Sequence, residues 1–389
     1  MSQRHPEFGA DLYTDAAIAD PYPLYRAIRD LGAAVWLSAH GVWAIARFGD
    51  VRAALRADRV LVSGRGVAMN GLVNGNASRV TLTSDGDDHR RLRKSLMSPM
   101  MPSALTEVEA EIQRLADELV AGLVARESFD GIVDFAQSLP LSVVARLVGL
   151  PDAGRQRMLD WAAAMFDALG VMNERGQRAL PLVFELAAYV AGLERSELRP
   201  DGWAARLHAA VDAGRIESGD VGGMLIDYVA PSLDTTILGT GHLLFQLGRH
   251  PDQWDLVRDD PTLIPRAIHE ALRLESPVRA FTRFAVEDYA AEDAVIPAGD
   301  RVLIMYAAAN RDERRYADPD RFDVTRDARD HLGFGHGVHR CAGSYLAELE
   351  MEALLRAMVA RVRRIDIGEP TVAMNNVLRG YRGFRVSFS

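Results

Sequence analysis

The apolar positions of this chain recur mostly at helical spacing. Behind Pro21, Tyr22, Leu24, Tyr25, Ile28 and Leu31 share one side of a predicted short helix. From 106 to 126 the stripe Val108, Ile112, Leu115, Leu119 and Leu123 predicts a long amphipathic helix. Helical patterns return at 138–149, 155–169 and 177–195, punctuated by Pro151, Gly170 and Pro200. The longest apolar helical stretch runs from 219 to 249. Residues 264–275 and 344–361 follow the same period, the latter through Leu346, Leu349, Leu354, Leu355 and Met358. Short helices are also expected at 50–57 and from Asp87-Asp88 onward, where acids suit the positive end of the helix dipole.

Strand signals are fewer. Two apolar runs flank His40-Gly41 between 35 and 48 and predict a hairpin; 295–297, 302–306 and the tail 375–389 read as strands. Residues 63–84 are rich in Gly, Asn and Ser and have no period; long aperiodic segments inside compact domains tend to be functional. With no internal repeat and no linker, residues 1–389 are expected to form one helix-dominated domain.

Composition narrows the class. The 389 residues are 48% hydrophobic and 25% charged, ample for a globular core. A formal charge of −9 argues against a general nucleic-acid binder. One cysteine excludes an intramolecular disulfide framework. Residues 1–20 lack the apolar run of a signal peptide and no stretch reaches bilayer-spanning length, so the expectation is a cytoplasmic protein with no membrane partner.

The lone cysteine lies in Phe334-Gly335-His336-Gly337-Val338-His339-Arg340-Cys341-Ala342-Gly343, a glycine-punctuated loop running into the last long helix. An isolated cysteine is ordinarily a small buried hydrophobe, and a nucleophile needs an adjacent base. At a loop-to-helix junction, unpaired N–H groups and the helix dipole favour a thiolate, which can ligate haem iron. The order Phe334, Gly337, His339, Cys341, Gly343 resembles the haem-binding signature of the cytochrome P450 (haem-thiolate monooxygenase) superfamily.

Four further segments agree with the resemblance. His89 and Arg93, four apart on one helix face, match its His-x-x-x-Arg, and Arg283 matches its propionate-binding arginine. In Ala230-Pro231-Ser232-Leu233-Asp234-Thr235-Thr236 the acid–alcohol pair Asp234 and Thr235 is kept. Pro231 and Ser232, however, replace the small residue and glycine, and a proline there kinks the helix. Glu270 and Arg273, with Arg321 downstream, match a structural network behind the cysteine loop.

The resemblance implies a mainly α fold with a small β-rich lobe, and haem b (iron protoporphyrin IX) between the long central helix and the Cys341 loop. His89, Arg93, Arg283, Phe334, His339, Cys341 and Gly343 would hold the cofactor, with Cys341 on the iron. Asp234 and Thr235 would be catalytic, delivering protons during dioxygen activation. It implies hydroxylation or O-dealkylation of a small organic substrate, with electrons from a ferredoxin-type donor and its reductase. Arg90, Arg91, Lys94 and Arg340 would form the basic docking patch. Arg65, Met69, Ala230, Val278 and Phe281 would face the substrate, and Val377-Leu378 would supply a pocket-lining turn. The Arg65 and Val278–Phe281 segments look like those of bacterial members that take small aromatic carboxylic acids, Arg65 anchoring the carboxylate; the alternative is Arg65 turned to solvent or to a haem propionate, with a neutral terpenoid or a larger secondary metabolite as substrate. Alternatives are a peroxide-driven or isomerising haem-thiolate enzyme and a non-catalytic haem sensor or carrier.

Overall fold

The computed structural model describes residues 5–75, 80–292 and 294–389. Residues 76–79, part of the aperiodic segment, and 1–4, part of the stretch tested for a signal peptide, lie outside them. The predicted helices form with shifts of a few residues at their ends: α1 (Tyr22–Leu31), α2 (Phe48–Arg56), α3 (Gly86–Met97), α4 (Pro102–Val124), α5 (Ser138–Val148), α6 (Asp152–Leu169) and α7 (Glu174–Ala191). Prolines open α1 and α4, where no N–H is needed.

The stretch expected as one kinked helix is two: α8 (Val221–Val229) and α9 (Asp234–Arg249). Helical bonding persists to Ala230 N–H→Ile226 C=O (3.0 Å) and resumes with Ile237 N–H→Leu233 C=O (2.9 Å). Between them Pro231 has no N–H to give. The Ser232 hydroxyl turns back onto the Tyr228 carbonyl, and the Thr235 hydroxyl donates to the Pro231 carbonyl at 2.9 Å. α10 (Ile264–Leu274) and α11 (Ser344–Val359) complete the helical body; α11 packs along α4, and α9 packs on α10.

The β-rich part is one six-stranded sheet with small two- and three-stranded sheets beside it. Its strands are β1 (Glu7–Phe8), β2 (Val35–Leu37), β3 (Val42–Ile45), β4 (Leu61–Val62), β5 (Phe281–Ala285) and β6 (Arg301–Ile304), in the order β1-β2-β3-β6-β5-β4. The hairpin β2–β3 pairs Val35 with Ala44, and Gly41 takes the left-handed turn conformation (φ 62°). The antiparallel pair β5–β6 sets Phe281 opposite Ile304, where one end of the sheet meets the helical body.

One helical stretch, residues 131–148, is apolar and long enough to cross a membrane, contrary to the sequence expectation; 56% of it is buried inside the protein.

Behind the Cys341 loop, Glu270 and Arg273 are fully buried and joined by two hydrogen bonds, 2.7 and 2.8 Å long. Arg273 also donates to the carbonyls of Asn310 (2.8 Å), Pro319 (2.7 Å) and Arg321 (3.3 Å). The Arg321 side chain itself is exposed, so this residue joins through its carbonyl alone. The second guanidinium on Glu270 belongs to Arg326, at 3.1 Å. A matching turn motif pointed to Arg321 because sequence spacing does not reveal which arginine turns inward.

Candidate active site

A cavity of about 450 Å³ opens between the Ala230–Thr236 break, the Phe334–Gly343 loop, the end of β5 and the loop before α3. Its surface is mostly apolar. Cys341 reaches it: the thiol is exposed toward the cavity while protein encloses it on the other sides. The loop is held by Cys341 N–H→Phe334 C=O (2.8 Å) and by left-handed Gly335 (φ 68°) and Gly337 (φ 71°). A β-carbon on Gly337 would collide with the Leu55 carbonyl. The Gly343 N–H points at the sulfur and, with Arg93 and Arg340, pulls the thiol pKa down, but burial is the larger effect and leaves it raised. The helix-terminus argument for a thiolate is therefore outweighed in the protein alone; a metal ion, which deprotonates a coordinating thiol, would reverse the balance.

Around the loop the structure gathers the expected cofactor residues. Arg93, Arg283, Phe334, His339 and Gly343 all line the cavity. His89 packs against His339, ring centroids 4.1 Å apart and planes tilted by 45°, and is 3% exposed with no partner for its Nε2. Burial and neighbouring cations hold both histidines below the usual imidazole pKa: Arg93 acts on His89, Arg283 and Arg93 on His339. Arg283 is buried and donates to the Thr282 carbonyl (2.8 Å); Arg93 reaches the Arg340 carbonyl. Among the described residues neither Arg93, Arg283 nor Arg340 has a carboxylate partner. Three unpaired guanidiniums and an orphaned imidazole nitrogen around one end of an apolar cavity, with a thiol on its wall, fit a flat apolar group bearing two carboxylates and a thiol-seeking metal.

The acid–alcohol pair is divided. Thr235 and Thr236 line the cavity, whereas Asp234 does not. Burial, and then Asp160 and Asp167 of α6, push the Asp234 carboxyl up to about 7.

On the substrate side Ala230, Val278 and Phe281 line the cavity, with Phe281 stacked on Phe166 (6.4 Å, 14° between planes). Val377 and Leu378 pack behind them, Leu378 bridging to Val278. Two expected contacts fail. Arg65 is exposed and does not line the cavity; its guanidinium lies 6.0 Å from the Phe284 ring, and its carbonyl accepts from Arg301 at 2.9 Å. Met69 is held away by Met69 N–H→Leu169 C=O (2.9 Å) and packs into the cluster under the hairpin. Ser63 and Gly64 N–H groups are clamped by Asp85 (2.9 and 2.7 Å), which fixes the loop with Arg65 outward.

Sequence reasoning missed two acids on the cavity wall. Asp227 accepts the Thr81 N–H at 2.7 Å and lies eight residues before Thr235. Glu350 of α11 is 1% exposed, lacks a partner for Oε1, and is pushed by burial alone to about 8. The available signal was position: Glu350 lies seven residues after Gly343, on the same face of the helix as Gly343 and Ala347.

A helical body with a small β lobe, enclosing an apolar chamber with one cysteine on its wall, defines a haem-thiolate protein, and the chain belongs to the cytochrome P450 family. The family model "Cytochrome P450" matches residues 224–364. The chain is 35% identical to cytochrome p450 CYP199A2 of Rhodopseudomonas palustris, over 99% of this chain and 95% of that protein. It is 32% identical to the cytochrome P450 monooxygenase PikC of Streptomyces venezuelae, over 95% and 91%. The solved structure of epothilone D-bound cytochrome P450epoK superposes with a TM-score of 0.86 at 26% identity, covering 98% of this chain and 99% of that one. The protein is a P450 monooxygenase, of a family that carries a haem-thiolate cofactor and takes electrons from redox partners.

Proposed function

We propose that the whole chain acts as one cytochrome P450 domain that binds haem b and hydroxylates or O-dealkylates a small, largely apolar organic substrate in the cytoplasm. The observation that carries this is the Cys341 thiol facing a cavity flanked by Arg93, Arg283 and His339. When bound, the haem supplies dioxygen activation and oxidation of a substrate C–H bond. Cys341 Sγ would hold the iron, and the Gly343 N–H donates to that sulfur. His89 Nε2, Arg93, Arg283 and His339 would hold the propionates. The Thr235 hydroxyl hands on a proton at the cavity wall, and Asp234, titrating near neutrality, replenishes it from behind. The stacked Phe166 and Phe281 orient the substrate and exclude water.

The aromatic-carboxylate reading rested on Arg65, which stands outside the cavity, and is not carried forward. For the electron donor we propose an acidic ferredoxin-type protein. Arg52, Arg56 and Arg340 gather around His336, whose pKa is lowered first by burial and then by these three charges, beside exposed Val338. Two members of the expected patch are engaged: Arg91 with Asp220 (2.6 Å) and Arg90 with Asp87. The free thiol suits a reducing compartment.

The deciding experiment is the carbon monoxide difference spectrum of the reduced, haem-loaded protein. The red-shifted Soret band of thiolate ligation is expected and should vanish in Cys341→Ala. A histidine-type band in the unmodified protein refutes the assignment.

A further inference from the structure

Among the described residues, five charged side chains line the cavity: Arg93, Arg283, Arg340, Glu350 and Asp227. The three arginines belong with His339 and Cys341 at the cofactor end, and Glu350 lies on α11 beneath it. Asp227 alone stands on the distal wall, on α8, one turn before Ala230. The residue as a whole is partly exposed and lines the chamber, although the packing around its carboxyl group is close. The loop opposite takes part of its capacity: the Thr81 N–H donates at 2.7 Å, and the Thr81 hydroxyl and the Leu82 N–H also favour its charged form. A carboxylate offers about four lone-pair directions, so the loop orients the group without exhausting it. Among the described residues no cation pairs with Asp227. The remaining walls here are apolar, Phe166 and Phe281 among them.

We infer that Asp227 determines specificity, and that the chamber selects substrates with a cationic head group on an apolar body and rejects carboxylates. Charge in a largely apolar chamber is poorly screened, so an unpaired anion there attracts a cation and repels an anion far more strongly than at an exposed site. Burial pushes its pKa up only to about 6, which leaves Asp227 ionised at pH 7.5. The inference rests on the proposed haem reading, in which the propionates take up Arg93 and Arg283 and Arg340 belongs to the donor-facing surface, leaving Asp227, among the described residues, as the free charge on the distal wall.

The test is calorimetric titration of the haem-loaded protein at pH 7.5 with three compounds of one body: 4-ethylphenyl-trimethylammonium, its tert-butyl isostere and 4-ethylbenzoate. The quaternary ammonium has no lone pair with which to ligate iron. The ammonium should bind at least about ten-fold tighter than the neutral isostere, with the benzoate weakest. Asp227→Asn keeps an oxygen for the Thr81 N–H and should bring ammonium and isostere to within about three-fold, leaving isostere binding unchanged. The inference is overturned by no binding of the ammonium, by equal binding of ammonium and isostere, by a preference for the benzoate, or by an ammonium preference that survives Asp227→Asn. The carbon monoxide spectrum of the same sample reports separately on the haem reading: a thiolate band without the ammonium preference rejects this inference alone.

Discussion

Glu350→Gln offers a quantitative check on the chamber's electrostatics. Glu350 is fully buried, its Oε1 has no partner, and burial holds its pKa near 8 against an ordinary 4.5. Because the folded-state pKa is the higher one, the native protein binds one more proton than the unfolded chain at every pH between those values. Stability therefore falls as pH rises from 4.5 to 8 and is flat above 8. At about 1.4 kcal/mol per pH unit, moving from pH 5.5 to 8 costs the wild type about 3 kcal/mol through this group. Glutamine, of nearly the same shape and always neutral, removes that slope. Urea unfolding at both pH values should show the variant losing about 3 kcal/mol less than the wild type, since all other titrations are common to both proteins and cancel. Equal losses in the two proteins would mean that Glu350 ionises without penalty, through a partner or water in the chamber, and would refute the reasoning.

Thr235→Ala should still consume reductant but release hydrogen peroxide in place of product. Asp234→Asn should slow turnover roughly 10²–10⁴-fold and abolish the decline expected above pH 7, where the wild-type carboxyl loses its proton; unchanged peroxide yield and pH profile count against both roles. Arg273→Met leaves Glu270 buried without its bidentate partner and should cost about 3–5 kcal/mol by denaturant unfolding, with Arg326→Ala costing less because Arg273 remains; a loss below 1 kcal/mol in the first variant would show the network to be dispensable. Arg340→Glu should slow reduction by an acidic ferredoxin, and the difference from wild type should shrink with added salt; rates indifferent to both changes argue for another docking face.

The elements legible along the chain were those set by local chemistry. Helices such as Pro102–Val124 and Ser344–Val359 follow from a single apolar stripe, and the hairpin at Gly41 from one permissive residue between two apolar runs. The Cys341 loop was legible for the same reason: glycines, histidine and thiol lie within ten residues, so their spacing alone carries the chemistry. Tertiary structure decided whatever depended on direction. Pro231 marked a disturbance, but only the folded chain shows a full break, with the Ser232 and Thr235 hydroxyls bonded to the carbonyls around it. Arg65 and Arg326 are both arginines near a matched motif; Asp85 clamps the loop that carries one outward, while Glu270 draws the other inward. Asp227 and Glu350 look like ordinary helix-surface acids in a one-dimensional reading, and only packing makes them wall residues of a chamber. Spacing along a chain tells which residues share a face; which face is buried, and against what charge, is settled by contacts between segments that are distant in sequence.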